Sequence, residues 1–409
     1  MFPYRVLDLA DERGILCGKV FADLGADVIK IELPEGDPAR KIGPFYKDIP
    51  GPENSLFWWA YSSNKRSITL NITDVEGRQV LKKLVESADF LIESFDPGYL
   101  DSLGLDYKEL SKINPRLIMI SITPFGQEGP YAHYKVYDLV GSSMGGLVYI
   151  TGEPKNPPMA IGFPQFYFHG AVAGATGGLI AHYWRNKSGN GQYVDVSCQE
   201  AMVRTLSQVP QCYEADGLVI EREGNTRRTG KDLFMRMTWP CKDGYVNFML
   251  SGGPGAGGSS MRELIRFMEE EGYDASSLQQ VDWGNMPYGG VSEEVLNKIS
   301  GVIESFFLNH SKRELTEQAI SRRMLLFPIN SVSEIFHYPQ LNSRCFFEPV
   351  ASPLTGENFI CPGSVLRFNN QPSIRRFAPL IGEHNAEIYE KELGFSQRKI
   401  ALYKIKKII

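Results

Sequence analysis

The first 125 residues alternate short apolar runs with segments of helical periodicity, and this order restricts the fold more than any other feature. Apolar runs lie at YRVLDLA (4–10), ADVIKIEL (26–33), DFLIESF (89–95) and RLIMISITPF (116–125). Between them, 15–25 carries apolar residues at helical spacing and ends at Gly25. Residues 74–88 open on Asp74, and 107–114 close before Pro115. Continuous apolar strands separated by amphipathic helices predict a parallel sheet covered on both faces. The fold class expected is α/β, with a large Rossmann-like domain. The dinucleotide fingerprint is absent: the first strand is followed by ADERGILCG rather than GxGxxG. The sheet therefore predicts no NAD or FAD.

Beyond this region, HGAVAGATGGLIAHYW (169–184) spaces small residues three and four apart, as in a helix packed closely against its neighbours. QYVDVSC (192–198) predicts a further strand. At EREGNTRRTG (221–230) the composition turns polar and loses periodicity, marking a linker into a second domain. CKDGYVNFML (241–250) predicts a turn and strand. SGGPGAGGSS (251–260), with five glycines, predicts a surface loop or a lid. Helices are expected at 263–271, 293–308, 313–321 and 384–393. The closing KIKKII (404–409) is expected to be a solvated end.

Composition excludes several classes. With a net charge of −5 and no other cluster of Lys or Arg, the 409 residues offer no nucleic-acid surface. The six cysteines are scattered without a CxxC pair, which argues against a disulfide framework or zinc. No apolar run approaches the ~18 residues needed to span a bilayer, so no membrane partner is expected. Only Met1–Pro3 precede the first predicted strand, leaving no room for a signal peptide. The expectation is a reduced, cytoplasmic protein with no metal and no tightly bound cofactor.

Several phrases in fixed order go beyond a generic α/β pattern. They are VFADLGADVIKIELPEGDPAR (20–40), residues 64–118 beginning NKRSITLNITDVEG, FGQEGPY (125–131) and YDLVGSSMGGL (137–147). SGNGQYVDVS (188–197), PLTGENFICPG (353–363) and APLIGEHN (378–385) follow. Taken together they resemble the class III CoA-transferases, the family of formyl-CoA transferase, carnitine CoA-transferase and α-methylacyl-CoA racemase. The resemblance implies a Rossmann-like large domain at 1–220, a linker and smaller α+β domain at 221–330, and a segment at 331–409 returning to the large domain. It implies two subunits threaded as interlocked rings. It also implies a mechanism: an Asp attacks the acyl-CoA carbonyl, forming a mixed anhydride and releasing the CoA thiolate, which then takes the acyl group of the acid acceptor. A carboxylate suits this step because, once acylated, it is itself a good leaving group.

That Asp is missing. In the family it lies about four residues before a Gly matched here by Gly170, which puts the position on Phe166 or Tyr167. No Asp or Glu occurs from Pro154 to Val194, where the average composition would give about five. The aromatic group Phe163, Phe166, Tyr167 and Phe168 either fills the vacated site, the preferred reading, or walls a pocket for an aromatic acid. Nearby His169 is either structural or an oriented proton donor. Asp138 matches an acidic position near the family's site and is otherwise a helix N-cap.

By the same resemblance, Arg40, Lys65, Arg66 and Lys135 match positions lining the CoA groove, with Phe95 in the turn Ser94–Phe95–Asp96–Pro97–Gly98. Asp96 and Ser102 stand where relatives offer a donor or a positive charge. Gly252 and Gly253 lie in the run read as either a lid or a surface loop. A scaffold without its nucleophile points to a non-catalytic subunit whose partner is a homologous catalytic CoA-transferase subunit. The pair would move CoA between an acyl-CoA, such as succinyl-CoA, and an organic acid, such as (R)-benzylsuccinate. Three alternatives are a CoA-thioester racemase or isomerase using acid–base residues, a non-enzymatic binding or regulatory homologue, and a transferase that uses a different carboxylate.

Overall fold

The computed structural model describes residues 4–286, 290–368 and 375–409. The chain forms two compact units. The first takes Met1–Gly146, Gly162–Thr205 and Pro339–Ile409, and the second takes Leu147–Ile161 and Leu206–Tyr338.

The first unit is built on β1 (Arg5–Asp8), α1 (Ile15–Asp23), β2 (Asp27–Glu32), α2 (Leu56–Ser62), β3 (Arg66–Thr69) and α3 (Val75–Val85). It continues through β4 (Phe90–Glu93), α4 (Tyr99–Ser102), α5 (Tyr107–Ile113), β5 (Ile118–Thr123), α6 (Asp138–Met144), α7 (Phe166–Ser188), β6 (Tyr193–Ser197) and α8 (Cys198–Thr205). The six strands form one sheet in the order β3-β2-β1-β4-β5-β6, parallel at every pairing. The apolar runs are buried on both faces because helices cover both sides of β1 to β5. Strand order reverses between β1 and β4, so a crevice for ligands is expected outside their carboxyl ends, at Asp8 and Glu93.

The small-residue stripe of α7 serves packing. An added Cβ would lie 2.3 Å from the Cys198 sulfur at Gly170, 3.0 Å from Ile122 at Gly174 and 2.5 Å from Ile120 at Gly178. These glycines let the helix rest directly on β5 and α8. The predicted solvated tail is corrected. Ile408 and Ile409 are buried in the cluster that contains Leu70 and Ile72, and the Ile408 carbonyl accepts from Asn71 N–H at 2.7 Å.

The second unit contains α9 (Gln208–Asp216), β7 (Thr226–Arg228), β8 (Phe234–Arg236), β9 (Thr238–Cys241), β10 (Gly244–Phe248), α10 (Ala256–Glu270), α11 (Ser276–Gln279), α12 (Glu293–Leu308), α13 (Lys312–Arg322) and β11 (Leu326–Pro328). Its core joins Trp239, Phe248, Phe267, Phe306 and Phe307. The expected small domain at 221–330 did not include 147–161. That segment is tied in by Gly224 N–H to the Gly152 carbonyl, Tyr149 hydroxyl to Glu221 and Arg222 to the Asn156 carbonyl.

The glycine run is not a loop over its length. Ser251, Gly252 and Gly253 are buried, and helix begins at Ala256. A Cβ at Gly252 would meet Met286 at 2.5 Å, and one at Gly258 the Gly253 carbonyl at 2.3 Å. Close packing of backbone therefore accounts for these glycines. Among the described residues no helix is long and apolar enough to cross a membrane.

Candidate functional site

The crevice at the strand-order reversal is made by two loops. After β1 come Asp11, Glu12 and Arg13; after β4 come Ser94, Phe95 and Asp96. Ser94 and Asp11 join the loops twice. The Ser94 hydroxyl donates to the Asp11 carboxylate at 2.8 Å and accepts the Asp11 N–H at 3.0 Å. Arg13 grips Asp11 through Nε and Nη2 and reaches Asp96 with Nη1 at 3.5 Å. Burial works against the Arg13 charge, but hydrogen bonding and attraction from Asp11 outweigh it and hold the pKa above the usual range.

Glu93 closes the crevice floor. Its carboxylate accepts from the Ser121 hydroxyl and from Phe95 N–H at 2.7 Å. Burial, against those two hydrogen bonds, pushes its pKa up to about 7. Beside it lies a cavity of about 300 Å³ whose lining includes Asp96, Gly98, Asp101, Tyr107 and Tyr193. Burial also raises Glu12, with Asp11 adding to the effect, and one Glu12 carboxylate oxygen is buried without a hydrogen-bond partner among the described residues.

The amino end of α7 is filled by aromatic rings. Phe166 is fully buried, with its ring where a side chain on Gly141 would be, 2.4 Å from the position of an added Cβ. Tyr167 is also buried and donates its hydroxyl to the Val136 carbonyl at 2.5 Å. Burial raises its pKa above the usual phenol range. Neither side chain can be acylated to an anhydride. Phe163 and Phe168 behave differently: Phe163 is exposed, and its ring lies 5.5 Å from that of Phe168, which packs on Tyr61 at 4.9 Å. The four aromatics thus split into a buried filling, Phe166 and Tyr167, and a more open pair, half-buried Phe168 and exposed Phe163.

Asp138 is the carboxylate nearest in role to the missing one, and helix capping occupies it. It accepts from Gln165 N–H at 3.1 Å and from Tyr167 N–H at 3.3 Å, satisfying donors at the start of α7. It opens α6 in sequence, yet its side chain caps a helix that starts 28 residues later. His169 pairs Nδ1 with the Thr205 hydroxyl at 3.1 Å.

The expected CoA-groove cations are not brought together. Arg40 is 1% exposed, bound to Glu32 through Nε and Nη2 and to Glu53 through Nη1, and stacked 3.8 Å above Trp58. Lys65 is fully buried on Asp8 at 2.8 Å and on the Ile15 carbonyl. Arg66 binds Asp27, Glu387 and Glu392. Each of the three is thus engaged by carboxylates of the chain itself. Lys135 differs, with a side chain 83% exposed and its ammonium 3.5 Å from Asp96. Phe95 packs against the core and Tyr99. Ser102 bonds only locally, to the Tyr99 carbonyl.

The Asp11–Arg13–Ser94–Glu93 cluster was not singled out in the sequence. Its signal was present: polar and charged residues directly after apolar strands, in DLADER and IESFD, at the two strand ends where order reverses.

Comparison with known proteins identifies the family. CoA-transferase family III matches residues 4–385. The chain is 35% identical over 387 residues to succinyl-CoA:(R)-benzylsuccinate CoA-transferase subunit BbsE of Thauera aromatica, covering 94% of this chain and 92% of the relative. It is 31% identical to formyl-CoA:oxalate CoA-transferase of Streptomyces coelicolor, covering 99% and 98%. The crystal structure of a CAIB/BAIF family protein from Brucella suis superposes with a TM-score of 0.78 at 28% identity, covering 95% of this chain and 98% of that one. With the reversed strand order and the ordered motifs, these matches place the chain in CoA-transferase family III.

Proposed function

We propose that this chain is the non-catalytic subunit of a heteromeric CoA-transferase. A homologous partner supplies the carboxylate that carries the acyl group, and the two chains interlock in the cytoplasm. One observation carries the reading: the start of α7 holds buried Phe166 and Tyr167, and the neighbouring Asp138 is committed to capping backbone N–H groups. Likeness to a relative named as a subunit supports the heteromer. The same relative supports succinyl-CoA as acyl donor and (R)-benzylsuccinate, or an acid close to it, as acceptor.

The test is covalent trapping. The purified chain and the complex recovered from its host are each mixed with succinyl-CoA, treated with hydroxylamine and mapped by mass spectrometry. An adduct is expected on the partner alone. A hydroxamate on any carboxylate of this chain overturns the reading.

A further inference from the structure

The strand-order reversal is where open α/β sheets receive anionic ligands, and here it already holds an anion. Asp96 stands between two cations drawn from different segments: Arg13 Nη1 at 3.5 Å from one carboxylate oxygen and Lys135 Nζ at 3.5 Å from the other. We propose that Arg13 and Lys135 form an anion site that the chain fills with its own Asp96 carboxylate, in the place of a phosphate group of a CoA nucleotide. The inference rests on the reading of this chain as a subunit that performs no acyl transfer itself.

Three observations support it. The loop carrying Asp96 is fixed on both sides of the residue. Ser94 is joined to Asp11, Phe95 N–H is held by Glu93, and Gly98 turns the chain at φ +82°. Asp96 is thereby presented to the cations rather than left to swing in solvent. Both ion pairs are long, so they supply charge balance more than hydrogen-bond energy, and a stronger anion with the same charge geometry would compete for the cations. Nε and Nη2 of Arg13 are engaged by Asp11, so Asp96 and an incoming anion compete for Nη1. Its negative charge both neutralises the two cations and repels an incoming phosphate.

The experiment is calorimetric titration of the full chain with coenzyme A, for the wild type, Asp96→Asn and the double variant Asp96→Asn/Lys135→Ala. Asp96 is half-exposed, and a thermal melt of each variant verifies the fold. Asp96→Asn is expected to bind coenzyme A about tenfold more tightly than the wild type, with the gain shrinking in high salt. The double variant is expected to lose the gain. Unchanged affinity in Asp96→Asn, or a gain that survives removal of Lys135, overturns the proposal. Either result leaves the subunit reading intact, because that reading falls only on an acyl adduct in this chain.

Discussion

Lys65 and Lys135 are the same residue type, and both match positions that the sequence assigns to one groove. Lys65 lies at the amino end of β3, fully buried on Asp8; Lys135 lies in the segment before α6, exposed beside Asp96. Burial lowers the Lys65 pKa even though Asp8 works to raise it, so the pair holds a charge that its surroundings disfavour. Lys135 keeps its hydration and surrenders little to its partner. The β1–β3 side of the sheet has thus turned its basic residues into internal fastenings, while the crevice between β1 and β4 keeps Lys135 at the surface. A lysine in a functional-looking motif reports function only when nothing inside the protein claims it.

The sharpest way to break this comparison is to remove one partner of the buried pair. Lys65→Met leaves Asp8 buried without its ammonium and should cost about 3–5 kcal/mol of stability. Urea unfolding at fixed protein concentration measures this, since assembly would otherwise contribute. The double variant Asp8→Asn/Lys65→Met should recover part of the loss, because no uncompensated charge remains. Gly18 gives an independent view of the same pair: an added Cβ would lie 2.1 Å from the Asp8 carboxylate. A Lys65→Met loss no larger than that of a surface substitution would show that the pair is not a fastening.

Glu93 sharpens the comparison from the crevice side, with a somewhat smaller effect. Burial raises its pKa from the ordinary 4.5 to about 7, so the folded chain favours the protonated acid. That contribution is complete below about pH 4.5 and is lost as the pH rises through about 7. Glu93→Gln imitates the protonated state and should keep it. Between about pH 4 and 8 the variant's stability should therefore gain about 3 kcal/mol on the wild type's. Denaturation midpoints across this range test the sign. A constant offset between the two proteins would mean that Glu93 titrates like a solvated carboxylate.

What the sequence made legible follows the range of each interaction. The strands of the sheet could be read because a parallel strand buried on both faces is a local apolar run, as in ADVIKIEL. The body of α7 could be read, three residues short at its start, because its small-residue spacing is local. Contacts between distant segments could not. Arg40 meets Glu32 nearby but also the Pro379 carbonyl, and Arg66 meets Glu387 and Glu392 across more than 300 residues. The closing Ile408 and Ile409 read as solvated because their apolar neighbours, Leu70 and Ile72, lie at the other end of the chain. Asp138 could be read as a helix start but not as the cap of a different helix. Motif spacing locates a site; it does not show which side chains the fold has already committed.

The smallest expected effect is the one that completes the comparison. Lys135→Met removes a cation whose side chain is 83% exposed and whose carboxylate neighbour Asp96 is itself half in water. Screening by solvent and salt leaves such a pair worth little, so stability should change by less than about 0.5 kcal/mol. Its consequence should instead be electrostatic. Asp96 would keep Arg13 alone of the two cations, and the crevice would become more negative, so any affinity for coenzyme A should fall at low salt and by less at high salt. Unfolding and titration on the same variant separate the two readouts. A large loss of stability would place Lys135 with Lys65 as a fastening and erase the contrast between the two sides of the sheet. A small loss with a salt-dependent change in binding is the result expected of a cation that the fold leaves available.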